Sequence, residues 1–242
     1  MNTFTILCLA NSFKHGGRCI AGIKTDRSGW IRPVSCQSDG TLTEEDCKLA
    51  NGKFTKLFDV IKINCTEARP SPHQPENWVV SSKKWLFLGR PDTKFLKSLL
   101  KSEIKRSKCD PYVLGNASDR LEWQFIQENP LESSLKIIVP KNITWKITTP
   151  DFINRKYRVS FQFGEVLYNL PITDPEWRET LSQLPDGDYS AAEAIEYLNL
   201  QNFHPDNFLF TLSLGEPFQP RSPGDWYCFK IVAAVMNLDV YN

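Results

Sequence analysis

TFTILCL (Thr3–Leu9), followed by RCIAGIKTDRSGWIRPVS (Arg18–Ser35), decides how this chain is read. The first segment is a short apolar run with the composition of a strand. In the second, Arg18–Thr25 alternates, Asp26–Gly29 supplies the Asp, Ser and Gly of a tight turn, and Trp30–Ser35 returns. A strand leading into a hairpin sets a β-rich reading, and the chain downstream keeps to it. Leu57–Cys65 and Trp78–Ser81 read as strands, as do Leu135–Pro140, Asn142–Thr148, Tyr157–Phe163 and Glu165–Leu170. Phe208–Leu214 and the long apolar Trp226–Met236 follow, the latter as a core strand. Sixteen prolines favour short strands and loops over a helical bundle. Four or five strands per half with small helical insertions fit short barrels or sandwiches.

The helices are few. Pro175–Leu181 follows Asp174 as N-cap, and Ser190–Leu198 opens on Ser190 with Glu193 at capping-box spacing. Leu121–Glu128 reads as a short helix. DTKFLKSLLKSEIKRSK (Asp92–Lys108) carries two patterns at once. Phe95, Leu96, Leu99, Leu100 and Ile104 recur at helical spacing as a buried face. Lys94, Lys97, Lys101, Lys105 and Lys108 recur three and four apart on another face. Such a row either holds a polyanion, releasing counterions as phosphates are contacted, or is a solvated surface. From Lys83 to Lys108 nine Lys and Arg face only Asp92 and Glu103.

That density stands out because the whole chain has a formal net charge of only +1 over 242 residues. Residues 1–130 hold 20 Lys and Arg against 14 Asp and Glu, while residues 131–242 hold 9 against 14. The N-terminal half therefore suits a polyanion and the C-terminal half suits it less, unless the two neutralise one another. Asn129–Ser134, polar and broken by Pro130, marks the boundary between units 1–130 and 131–242.

Further candidates surround the hairpin. Lys14, His15, Gly16, Gly17 and Arg18 offer donors on a glycine-freed loop, a small anion site or plain loop geometry. Trp30 and Arg32 share a strand face, as a base-stacking plane with a phosphate contact, or as a core plug with Arg32 paired to an acid. His73, Gln74, Glu76, Asn77 and Trp78 form a polar cluster ahead of a strand, with Lys83, Lys84 and Arg90 extending the positive region. Arg155, Lys156 and Arg158 flank Tyr157. Lys230 lies inside an apolar strand and needs a partner, Glu216 being one choice.

Chemistry is hard to find. Three distant histidines, seven scattered cysteines without a CxxC pair, and the absence of HExxH, GxSxG and Walker patterns leave no catalytic residue, metal site or cofactor to name. The cysteine usage points to a reducing, cytoplasmic setting. No run of eighteen apolar residues occurs, and the first residues read as a strand and not as a leader.

Several segments resemble the dual-OB-domain family: CLANSFKHGGRCIAGI (Cys8–Ile23), GWIRPVS (Gly29–Ser35), QPENW (Gln74–Trp78), FTLSLGEPF (Phe210–Phe218) and YCFKIVAAV (Tyr227–Val235). The resemblance implies a mainly β (α+β) fold of two consecutive OB-like β-barrels. It also implies a prokaryotic protein connected with nucleic acids and genome conflict, and brings no catalytic residues. The leading expectation is binding of single-stranded or structured DNA or RNA through Lys14, Arg18, Trp30, Arg32, Trp78, Lys83, Lys84, Lys94, Lys97, Lys101, Lys105 and Lys108. The alternative is an adaptor that recognises a protein partner within a prokaryotic defence or regulatory system.

Overall fold

The first strand does more than the apolar run suggests. In the computed structural model, which describes residues 1–14, 16–150 and 153–241, β1 spans Asn2–Lys14. Its first half pairs antiparallel with β4 (Val60–Ala68), and the stretch from Ile6 onward pairs with β2 (Gly17–Lys24). A register shift between Cys8 and Ala10 bends β1 so that one strand serves both neighbours. Gly22 makes the close approach possible, since a Cβ there would lie 2.3 Å from the Leu7 carbonyl oxygen. β3 (Trp30–Val34) returns beside β2 and runs parallel to β5 (Asn77–Val80), which pairs with β4. The order β1-β2-β3-β5-β4 thus closes on β1 as a five-stranded barrel, the Greek-key arrangement of the OB type. Ile6, Ile20, Ile31, Ile61, Ile63 and Trp85 fill it. The long β3–β4 connection adds Leu42, Cys47 and Leu49 to that core.

After the barrel come β6 (Leu86–Gly89), α1 (Thr93–Ser107), β7 (Arg120–Glu122) and α2 (Trp123–Glu128). Contacts divide the chain into two compact units. One holds Met1–Leu99 with Gln124–Leu135, the other Leu100–Trp123 with Lys136–Asn242.

The second unit is built differently. β8 (Leu135–Ile138) and β9 (Lys141–Thr148) are followed by β10 (Lys156–Phe163) and β11 (Val166–Pro171). Then come α3 (Pro175–Leu181), β12 (Gly187–Ser190), α4 (Ala191–Tyr197), β13 (Phe208–Phe218), β14 (Tyr227–Asn237) and a 3-10 turn at Leu238–Tyr241. They form two four-stranded sheets, β11-β10-β9-β12 and β7-β14-β13-β8. A parallel bridge, Ile172 to Val232, joins their neighbourhoods. The fold is mainly β with some helices, as expected, and consistent with OB-like folds. Among the described residues one ring closes, and the second unit is an open, half-barrel arrangement around Trp145, Phe161, Tyr168, Trp177, Phe208 and Phe210. Asp174 ties this unit together. Its carboxylate caps α3 by accepting from the Trp177 N–H at 3.1 Å, and accepts from Val235 N–H on β14 at 2.8 Å. The Ser190 capping box is present as the spacing predicts.

Candidate nucleic-acid interface

Helix α1 is set by its N-terminus. The Asp92 side chain accepts from the Phe95 N–H at 2.8 Å, satisfying one of the four open donors of a first turn. Lys105 and Arg106 in the last turn complement the other end of the dipole. Leu96, Leu99 and Leu100 are buried, and Phe95 and Ile104 half-buried, so the apolar face lies where its periodicity places it. Arg27, from the β2–β3 turn, pins the helix start. Its guanidinium sits 5.6 Å from the Phe95 ring centre and donates to the Ser98 hydroxyl at 3.0 Å.

With that face occupied, Lys94, Lys97, Lys101, Lys105 and Lys108 are all exposed. Among the described residues Lys94, Lys101, Lys105 and Lys108 have no ion pair, whereas Arg106 is held by Glu103 at 3.0 Å. At 1.5 Å per residue, Lys94 to Lys105 covers about 16 Å of helix. Four ammonium groups spaced about one turn apart form a line of point charges, suited to successive phosphates and unsuited to reading base edges.

The remaining candidates fare differently. Arg32 is 2% exposed and is no phosphate ligand. Its Nε and Nη2 donate to Glu76 Oε1 at 3.1 and 2.9 Å, Nη2 also to Ser134 Oγ at 2.6 Å, and Nη1 to Cys19 Sγ at 3.0 Å. Burial opposes the Arg32 charge, but the Cys19 sulfur and the Glu76 carboxylate outweigh it, and the guanidinium is held above its ordinary pKa. Ser134 closes the group by donating its backbone N–H to Glu76 Oε2 at 3.2 Å. On the same outer face Ala21 and Ile23 are also buried, so the β2–β3 wall, the usual ligand face of an OB barrel, is covered by the chain itself. Trp78 is half-buried and packs against the barrel core, with Phe4 edge-on at 4.6 Å. Trp30 is half-buried at the start of β3.

Lys14 donates to the Asp39 carbonyl, and Lys84 is bonded to Glu45. Arg18 is half-buried, 4.7 Å over the Phe13 ring. Around Gly17 the loop that offered either an anion site or plain loop geometry is shaped by packing. A Cβ on Gly17 would meet the Leu42 carbonyl oxygen at 2.3 Å, and Arg18 and Leu42 exchange backbone hydrogen bonds. His15 lies outside the described residues. Lys83 is exposed and carries no ion pair among the described residues. Lys230 is fully buried and is held by Asn116 and Ser118 instead of Glu216. Its amine donates to both their carbonyls and to Asn116 Oδ1, each at 2.8 Å, and burial pulls its pKa down to about 7.

Among the described residues no group of three His, Cys, Asp or Glu is placed to hold a metal, and no helix is long and apolar enough to cross a membrane. Sequence reasoning missed β6. Leu86, Phe87 and Leu88 are 43, 42 and 54% exposed, a consecutive apolar run that composition alone marks as interior.

A family model described as the Dual OB-containing domain matches residues 4–235. The chain belongs to that family. For this dual OB protein the match spans both compact units and accounts for the closed barrel in the first. Among solved structures, one described as the tetrameric p202 HIN2 aligns over 98% of this chain and 91% of that chain, at 6% identity and a TM-score of 0.28. A likeness that low carries no argument about the dual OB protein. The search of curated proteins returns no match.

Proposed function

We propose that this dual OB protein binds single-stranded or structured nucleic acid through the outer face of α1, without a chemical step. Lys94, Lys97, Lys101, Lys105 and Lys108 neutralise phosphates, and Lys83 extends the row toward the barrel. One observation carries the reading: the row is exposed, with four of its five members free of ion pairs among the described residues. The other cationic candidates, Lys83 apart, are buried, tied to acceptors or stacked on a ring. In this reading the two compact units correspond to two OB-like modules, and the polymer meets α1, whose residues up to Leu99 belong to the barrel unit and from Leu100 on to the other. All seven cysteines are free thiols, two of them exposed, which agrees with a reducing cytoplasmic setting.

The test is the salt dependence of binding to a labelled single-stranded oligonucleotide, DNA and RNA in parallel. Counterion release gives a negative log–log slope of about 0.7 per neutralised phosphate on a single strand. Replacing Lys97, Lys101 and Lys105 together by Ala flattens that slope by about 2. An unchanged slope, or no binding by the wild type at low salt, overturns the reading.

A further inference from the structure

Strand β6 closes nothing. Among the described residues it is the last strand of its sheet and pairs with β4 alone, through Leu86 to Lys62, Phe87 to Ile61 and Gly89 to Val60, while Trp85, just before it, forms a parallel bridge to Leu49 and accepts from the Ala50 N–H at 2.8 Å. A register shift between Val60 and Ile61 leaves Leu88 without a cross-strand partner, and Leu88 is the most exposed of the three apolar residues. A barrel strand normally alternates between core and solvent. Here three consecutive large apolar side chains face water on both sides of the strand, beside an edge on which, past Trp85, no further strand pairs among the described residues. Phe87 is 42% exposed even though its cross-strand neighbour Ile61 is fully buried.

Such an edge is a template for one more strand, and native sheets usually blunt it. We propose that β6 is a docking edge for an extended segment of a partner protein. That segment would add antiparallel to β6, place apolar side chains on Leu86, Phe87 and Leu88, and carry Asp or Glu at its ends. The charge around the edge selects this occupant. Lys62 lies directly across from Leu86, Lys83 precedes the strand and Lys94 follows it; all three are exposed without an ion pair among the described residues. A second copy of the chain suits the edge poorly. Antiparallel pairing of two β6 strands about Phe87 runs from Lys84 to Arg90, a stretch with no Asp or Glu, so a second copy brings no carboxylate from that strand to Lys62, Lys83 and Lys94. A nucleic-acid strand finds one aromatic ring and two leucines here, with no series of ring faces on which successive bases stack. The docking edge shares Lys83 and Lys94 with the phosphate row proposed for α1, but its apolar contacts, Leu86, Phe87 and Leu88, lie outside that row.

The experiment uses the full chain. A displayed library of random nine-residue peptides is selected on the wild type and counter-selected on Leu88→Lys. The expected winners alternate apolar residues, carry Asp or Glu at the ends, and lose about tenfold or more in affinity for Leu88→Lys and for Phe87→Ser. Both positions are exposed, so unchanged thermal melts show that the fold is intact, and Phe87→Leu keeps the binding. Bound peptide slows amide exchange at residues 86–89. Charge reversal at Lys83 and Lys94 to Glu shifts the selected ends from acidic to basic. The proposal is overturned if nothing is enriched over Leu88→Lys, or if the winners lack acidic ends. A concentration-dependent dimer abolished by Leu88→Lys overturns it in favour of a second copy. Oligonucleotide binding lost in Phe87→Ser overturns it in favour of nucleic acid.

Discussion

Arg32 and Glu76 lie 44 positions apart, and the sequence allows Arg32 an acidic partner without saying which acid it is. The barrel brings them together because β3 runs parallel to β5, with Arg32 in register with Asn77, the neighbour of Glu76. A charge taken out of water is tolerated only with its partners in place. Arg32→Ala strands the Glu76 carboxylate and is expected to lower unfolding stability by about 3–5 kcal/mol, read from the urea midpoint at constant m-value. A loss under about 0.5 kcal/mol would show that water reaches the site. Asp174 gives a second residue-scale prediction. Burial lifts its carboxyl from 3.8 to about 6, against the pull of the Val235 and Trp177 N–H groups. A folded-state value above the unfolded one means that the folded protein holds this proton more tightly. Its stabilising contribution is therefore complete below about pH 4 and is lost as pH rises through about 6. The stability gap between wild type and Asp174→Asn should widen on going from pH 7 to pH 4. At about 1.4 kcal/mol per pH unit the widening between these two pH values is about 2 kcal/mol. A gap independent of pH would place the Asp174 proton equilibrium at its ordinary value.

Elements show which physics a linear sequence carries. Helix α1 was legible because two periodicities coincide over one segment, and period fixes the face that is buried. The α3 and α4 caps were legible because a cap is a contact over three residues. Strand β6 was not, because Leu86–Leu88 is uniformly apolar and a uniform run holds no information about which side meets water. Nor was the covering of the β2–β3 wall, which depends on Ser134, about a hundred residues away in sequence. In α1 the two faces separate stability from binding. Leu99→Ala removes a fully buried side chain and should cost about 2–5 kcal/mol. Lys101→Ala, on the exposed face, should leave the melt within about 0.5 kcal/mol, since Ala is the better helix former. The same Lys101 change should lower the salt slope of oligonucleotide binding by about 0.7. If Lys101→Ala melts early with an unchanged slope, the lysine row is part of the packing and not of an interface.

At the scale of the whole molecule, closure of the barrel rests on one long strand shared between two neighbours, of which the sequence displays only the apolar part, Thr3–Leu9. Chain order and compactness also part company. The polar, proline-broken Asn129–Ser134 has the composition of a linker, yet Ser134 is fully buried on Arg32 and Glu76, and Leu131 donates its N–H to the Pro72 carbonyl at 3.0 Å. The compact unit that contains the barrel takes in Gln124–Leu135 and leaves out Leu100–Trp123. A chain cut after residue 130 therefore removes Ser134 from the buried charge pair and leaves Glu76 short of two hydrogen-bond donors. Leaving a buried polar group unpaired costs about 1–3 kcal/mol, more where a charge is involved. A fragment of residues 1–135 should resist urea better than one of residues 1–130 by at least that amount. Ser134→Ala in the 1–135 fragment should lose only part of that advantage, since it removes the hydroxyl and keeps the backbone N–H. Equal midpoints for the two fragments would mean that the segment after Pro130 adds nothing to the barrel, and that the chain divides at the composition break after all.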